Sequence, residues 1–121
     1  MDERLDWADE KIEAARTLCE AGFYADAISR AYYGMYHAAK ALLESEDITA
    51  KTHAGLIRMI GKEFVASGRI ADSLGKALTL AEEEREEADY EIAPEFSEEE
   101  AEQRIEDAET FIEKARDLLA S

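Results

Sequence analysis

Proline and cysteine each occur once in these 121 residues, tryptophan once and histidine twice, and no apolar run approaches the ~20 residues that span a bilayer. Each scarcity removes a class of protein. The lone Cys19 cannot form an internal disulfide, and no cationic stretch leads into an apolar run at the N-terminus, so a cytoplasmic protein with no membrane part is expected. There is no glycine-rich phosphate loop, no cysteine pair and no His/Glu spacing that binds zinc on a helix, and nothing selects a serine partner for either histidine. No metal site, cofactor or serine triad is expected. Cations are also outnumbered, 14 Lys and Arg against 30 Asp and Glu, and the resulting net charge of −16 opposes general attraction to nucleic acid or anionic lipid.

What is abundant is Ala, Glu and Leu, in a chain 46% hydrophobic and 36% charged, which points to an all-α fold in a single domain over residues 1–121. Leu5, Ala8, Ile12, Ala15 and Cys19 recur at helical spacing and predict a first helix from about Asp2 to Ala21, stopped by a left-handed Gly22. A second helix opens at Phe23 or Tyr24 and runs to about Ser45; the short turn makes the two antiparallel neighbours. Thr52 caps a shorter helix near 52 to 67, with Leu56, Ile57, Ile60 and Phe64 inward and Gly68 at its end. Leu74, Leu78, Ala81, Arg85 and Ala88 form one stripe of a fourth helix, with Asp89 as the partner of Arg85 and the glutamates of 82 to 87 on the solvated circumference. Asp89 to Phe96, with Pro94, reads as the longest loop. Ser97 and Glu100 then form a capping box for a last helix whose inner face is Ala101, Ile105, Ala108, Ile112, Ala115 and Leu119. The expected architecture is an up-and-down antiparallel bundle of four long helices plus one shorter helix, with Met35, Leu42, Ile60, Leu78 and Ile112 in its core.

The stretch Ser29 to Leu43, SRAYYGMYHAAKALL, organises the rest. At about 100° per residue it puts Asp26, Arg30, Tyr33, Gly34 and His37 in one narrow sector, opposite an apolar stripe of Ile28, Tyr32, Met35, Ala39, Leu42 and Leu43. Arg30 and His37 stand two turns apart, roughly 10 Å along the axis, and Gly34 between them is expected to leave a notch beside which Tyr33 can stack or hydrogen-bond. An imidazole moves protons near neutral pH and a guanidinium holds phosphate oxygens through two hydrogen bonds. Together they suit cleavage of a phosphodiester by an RNA's own 2′-hydroxyl, His37 transferring protons and Arg30 clamping phosphate. The plainer alternative is a solvated Arg30 paired to Asp26 beside an ordinary interface histidine, and spacing alone does not separate the two.

Between Ile48 and Ala71 four cations, Lys51, Arg58, Lys62 and Arg69, meet one acid, Glu63, so this window is +3 and the remainder of the chain −19. Lys51, Arg58 and Lys62 are therefore candidate substrate-binding residues flanking Arg30. The alternative is that they balance the acidic helices nearby.

SRAYYGMYHAAKALL, followed by KTHAGL and later by Arg85 with Ala88-Asp89-Tyr90, resembles the HEPN superfamily, specifically its small stand-alone helical members. The resemblance implies a bundle of four to five helices, a homodimer, and a partner nucleotidyltransferase with which the protein forms a toxin and antitoxin pair. It also implies a metal-independent ribonuclease marked by Arg, four to six residues, then His; Arg30 and His37 are separated by six. Ala39 replaces the tyrosine that a partner nucleotidyltransferase can modify, so modification there is not expected. A homodimer in which both Arg30 and both His37 line one cleft is the expected assembly, with RNA or a nucleotide as ligand. The alternative function is a non-catalytic subunit that binds a nucleotide or docks the nucleotidyltransferase.

Overall fold

The computed structural model describes residues 3–90 and 95–121 and is helical, with no strand among them. Asp2, expected at the start of the first helix, and residues 91–94, with Pro94 of the expected loop, lie outside the described residues.

Five helices follow in order: α1 (Glu3–Glu20), α2 (Tyr24–Ser45), α3 (His53–Ile60), α4 (Asp72–Tyr90) and α5 (Glu98–Ala120), with α3 continuing through a wider π-helical turn over Gly61–Val65. Their ends are written in local chemistry. Gly22 and Gly68 adopt φ of +89° and +83°, a conformation that glycine takes without a Cβ penalty, and they close α1 and the α3 segment. The Thr52 hydroxyl accepts from the Gly55 amide at 2.9 Å. Ser97 and Glu100 make the reciprocal capping box, and three acids in the first turn of α5 complement the positive end of its dipole.

Helix α2 is the centre. It packs against α1, α5, α4 and α3, whereas α1 and α4 lie on different flanks of it and do not pack against each other. Ala27, Ala31, Ala38, Ala39 and Ala41 are buried on α2, and their small side chains let neighbouring helices approach closely. Trp7 beside His37 and Arg4 paired to Glu44 fix α1 antiparallel to α2; Arg16 with Glu109 and Arg116 with Asp9 fix α5 antiparallel to α1. The expected core residues Met35, Leu42, Ile60, Leu78 and Ile112 are all buried, as is the whole apolar stripe of α2.

Two assignments are corrected. Glu82, expected on the solvated side of α4, is 8% exposed, and Arg85 is 5% exposed. The inward stripe of α4 is therefore Leu78, Ala81, Glu82 and Arg85, and the buried arginine takes Glu82 as its closer partner, at 2.6 Å, with Asp89 at 3.4 Å. Gly34 presents no open notch: it is buried against α1, where Ile12 fills the space a Cβ would take.

Candidate active site

Because α5 covers one side of α2 and α1 and α4 flank it, one strip of α2 stays uncovered, and it carries Asp26, Arg30, Tyr33, Tyr36, His37 and Lys40. Arg30 and Asp26 are both exposed, and among the described residues they form no ion pair with each other or with any other group. The plain reading of Arg30 as the salt-bridge partner of Asp26 is thus not realised.

His37 sits deeper. Its ring stacks on Trp7 of α1, centroids 6.2 Å apart at 28°, and meets Tyr36 edge-on at 5.4 Å. Its Nδ1 is buried with no hydrogen-bond partner among the described residues. Burial, then the charges of Arg4 and Lys11, lower its pKa below 6.5, so at neutral pH the ring is uncharged and able to accept a proton. Arg4 is held beside it by Glu44, at 2.9 and 3.1 Å.

Tyr33 does not stand beside a notch at Gly34 but turns toward α3 and α4. It meets Tyr32 at 5.4 Å, Tyr36 at 6.1 Å and His53 at 6.2 Å, and the Arg85 guanidinium lies 5.9 Å from its ring. Burial raises its pKa.

On that flank lies a polar cluster that the helical wheel of α2 does not reveal. Tyr32, fully buried, has its hydroxyl 2.7 Å from Nδ1 of His53, and burial raises the phenol far above its ordinary pKa, so it keeps its proton. With a neutral imidazole the hydroxyl donates and the ring carries its own proton on Nε2. A carboxylate oxygen of Glu82 stands 3.7 Å from the same Nδ1, while its other oxygen accepts from Arg85 at 2.6 and 2.8 Å. Burial opposes the charge of Arg85, but the bonds to Glu82 outweigh it and the pKa is raised. His53 and Arg85 also line a cleft of about 510 Å³ with Arg58, Ile57 and Tyr90. The sequence did hold a signal: His53 falls in KTHAGL, and Arg85 interrupts an apolar stripe with a carboxylate three residues before it.

Tyr36 joins the two regions, 5.4 Å from His37 and 5.0 Å from His53, so both histidines of the chain border one aromatic ring. The candidate cations are not all gathered here. Arg58 lines the His53 cleft, Lys51 is exposed in the connection before α3, Lys62 is exposed on the π turn, and Arg69 is engaged by Glu46; among the described residues no hydrogen bond or ion pair joins them to Arg30 or His37. No group of three or more His, Cys, Asp or Glu among the described residues could hold a metal ion, and no helix is long and apolar enough to cross a membrane.

Known proteins are similar in sequence to this chain along nearly its whole length. Two candidate toxins of Methanocaldococcus jannaschii are 40% identical over 115 residues, covering 95% of this chain and 85% of the relative, and 32% identical over 121 residues, covering 100% and 82%. A UPF0332 protein of Archaeoglobus fulgidus is 38% identical over 116 residues, covering 96% and 92%. The family model described as the HEPN domain matches residues 1–118. With the family model matching nearly the whole length and relatives 40% and 32% identical across it, the chain belongs to the HEPN domain family.

Proposed function

We propose that the protein is a metal-independent endoribonuclease, the toxin of a pair whose antitoxin is a nucleotidyltransferase, acting in the cytoplasm as a homodimer. The observation that carries this reading is His37, an uncharged, half-buried imidazole on the uncovered strip of α2, on the same helix face as an unpaired Arg30. Relatives named as candidate toxins support the biological role.

In the proposed reaction His37 removes the proton of an RNA 2′-hydroxyl, whose oxygen attacks the adjacent phosphorus. The bond to the 5′-oxygen breaks, that oxygen takes up a proton from water, His37 releases its own proton to solvent, and the products are a 2′,3′-cyclic phosphate and a 5′-hydroxyl end. Arg30 holds the non-bridging oxygens through its forked N–H groups and offsets the charge that develops on them. A guanidinium two turns from the imidazole can lean along the helix toward it, and α2, anchored on every other helix, keeps the pair in register. Two symmetry-related pairs facing one cleft would supply the grip on a phosphate backbone that one pair on an acidic protein lacks.

The test is incubation of purified protein with single-stranded RNA in the presence of chelator, wild type against His37→Ala and Arg30→Lys. Cleavage by the wild type that is strongly reduced in His37→Ala and impaired in Arg30→Lys is the expected result. A wild type that leaves RNA intact yet binds a nucleotidyltransferase would replace this reading with the docking subunit.

A further inference from the structure

We infer that Trp7 is a nucleobase-stacking residue, which holds one base of a single-stranded RNA beside His37. The inference rests on the RNA reading above and names the part of that substrate the protein grips other than phosphate.

Trp7 is the one tryptophan of the chain, and it is 52% exposed. Helix α1 does not need it for anchorage, since Leu5, Ala8, Ile12, Ala15 and Cys19 already fill its inward face. Its ring instead overlaps the candidate catalytic imidazole at 28°, leaving much of its surface to solvent. Arg4, Trp7 and Lys11 fall at helical spacing on one side of α1, with the Lys11 ammonium 5.8 Å from the indole. Across His37, Tyr36 has the Lys40 ammonium 6.0 Å from its ring, where that ammonium also donates to the Ala50 carbonyl at 3.0 Å. Trp7, His37 and Tyr36 thus make a run of adjacent rings that continues into His53, with a cation near Trp7 at its open end and another near Tyr36.

Rings interleaved with cations are the means by which proteins hold single strands, whose unpaired bases offer π-faces that a duplex keeps stacked and hidden. The net charge of −16 makes this row matter more, because stacking does not depend on the overall field that repels the phosphates. A second copy covering the indole is the competing occupant. Two contacts of Trp7 speak for a polar ligand: its ring meets the His37 imidazole and the Lys11 ammonium, and the Arg4 charge acts on the same imidazole, whereas protein partners bury apolar interface cores.

The test uses a 2′-O-methyl single-stranded RNA decamer, which has no nucleophilic hydroxyl and cannot be cut. Binding is followed by anisotropy of a dye on the oligomer, and the indole by its own fluorescence, which a single tryptophan assigns without ambiguity. Saturable quenching in step with binding is expected, with affinity lowered roughly 5- to 100-fold in Trp7→Ala and largely retained in Trp7→Phe, both variants unfolding at temperatures near that of the wild type. Binding without quenching, or with Trp7→Ala unaffected, overturns this inference and leaves the nuclease reading standing. An emission shift that follows protein concentration and ignores RNA overturns it in favour of the second copy. No binding of the decamer at all removes both readings, whereas binding and quenching in a protein that never cuts natural RNA keeps the stacking site and removes the nuclease.

Discussion

Ile12 of α1 occupies the space that Gly34 of α2 leaves: a Cβ on Gly34 would stand 2.8 Å from Ile12 Cδ1 and 3.2 Å from its Cγ1, with the carbonyl oxygen of Ala8 at 3.4 Å. The nearest atom is the end of a side chain that can rotate; the backbone oxygen behind it cannot. Overpacking of this kind costs about 1–3 kcal/mol, against the ~1 kcal/mol that alanine gains over glycine inside a helix. Gly34→Ala is therefore expected to lose on the order of 1 kcal/mol in urea unfolding, and Ile12→Val, which removes Cδ1, to recover most of it in the double variant. Strict additivity of the two changes would disprove the contact as the cause.

The buried pair on α4 makes a larger demand. Arg85→Met leaves Glu82, 8% exposed, without the guanidinium 2.6 Å from it, and stranding a buried charge costs about 3–5 kcal/mol. The midpoint in urea is expected to fall accordingly. Replacing both, Glu82→Leu with Arg85→Met, is expected to restore much of that loss; a double variant as unstable as the single one would mean that the aromatic packing of Arg85, not its charge pairing, is what matters.

Protonation of His37 ties stability and rate to the same pH window. Burial holds its folded pKa below the ordinary 6.5, so between those two values the unfolded chain binds more protons than the folded one. Stability then rises with pH across the window, is fully present above it, and is lost as pH falls through the folded pKa. His37→Gln is expected to flatten this slope in thermal unfolding scans from pH 5 to 8. A slope unchanged in the variant would assign it to other groups.

In the proposed reaction the same ring must be uncharged to take the 2′-hydroxyl proton. The cleavage rate is expected to climb on an acid limb that lies below pH 6.5. His37→Ala is expected to lower the rate by on the order of 10²-fold or more, and Arg30→Lys to impair it because an ammonium cannot reproduce the forked contact. Added chelator is expected to change nothing. Persistent cleavage by His37→Ala, or its loss with chelator, would sink the mechanism.

Assembly is checked by light scattering at micromolar concentration, where a homodimer is expected. A monomer, or a dimer whose two His37 side chains face opposite sides, would rule out the shared cleft.

Most of the fold is legible because its signals are local. Gly22, Thr52, Gly68 and the Ser97/Glu100 box each act through the backbone within a few residues, and the apolar stripes need only their own period. The failures arise where a second helix decides. A wheel drawn on α2 leaves Gly34 open, but only the position of Ile12 on α1 says whether that space is filled. A wheel drawn on α4 puts Glu82 beside its solvated neighbours, yet Tyr32 and His53 come from two other helices and draw it inward. Arg30 and His37 lie on one helix, so a single wheel brings them together; His53 and Arg85 lie on separate helices, so no single wheel does.

Because every other helix rests on α2 while α1 and α4 do not touch, the molecule has no second scaffold to fall back on. Loss of α1 would leave α2, α4 and α5 still in mutual contact, but loss of α2 would leave no such set. Amide hydrogen exchange should accordingly be slowest along α2, approaching the global unfolding free energy, and faster in α1. The histidine thus rides on the segment expected to open last, while Trp7 and Arg4, which dry and charge its surroundings, ride on a neighbouring helix. A brief detachment of α1 would rehydrate the imidazole and return its proton affinity toward that of the free side chain, so the chemistry of this site is set by how firmly one outer helix stays docked.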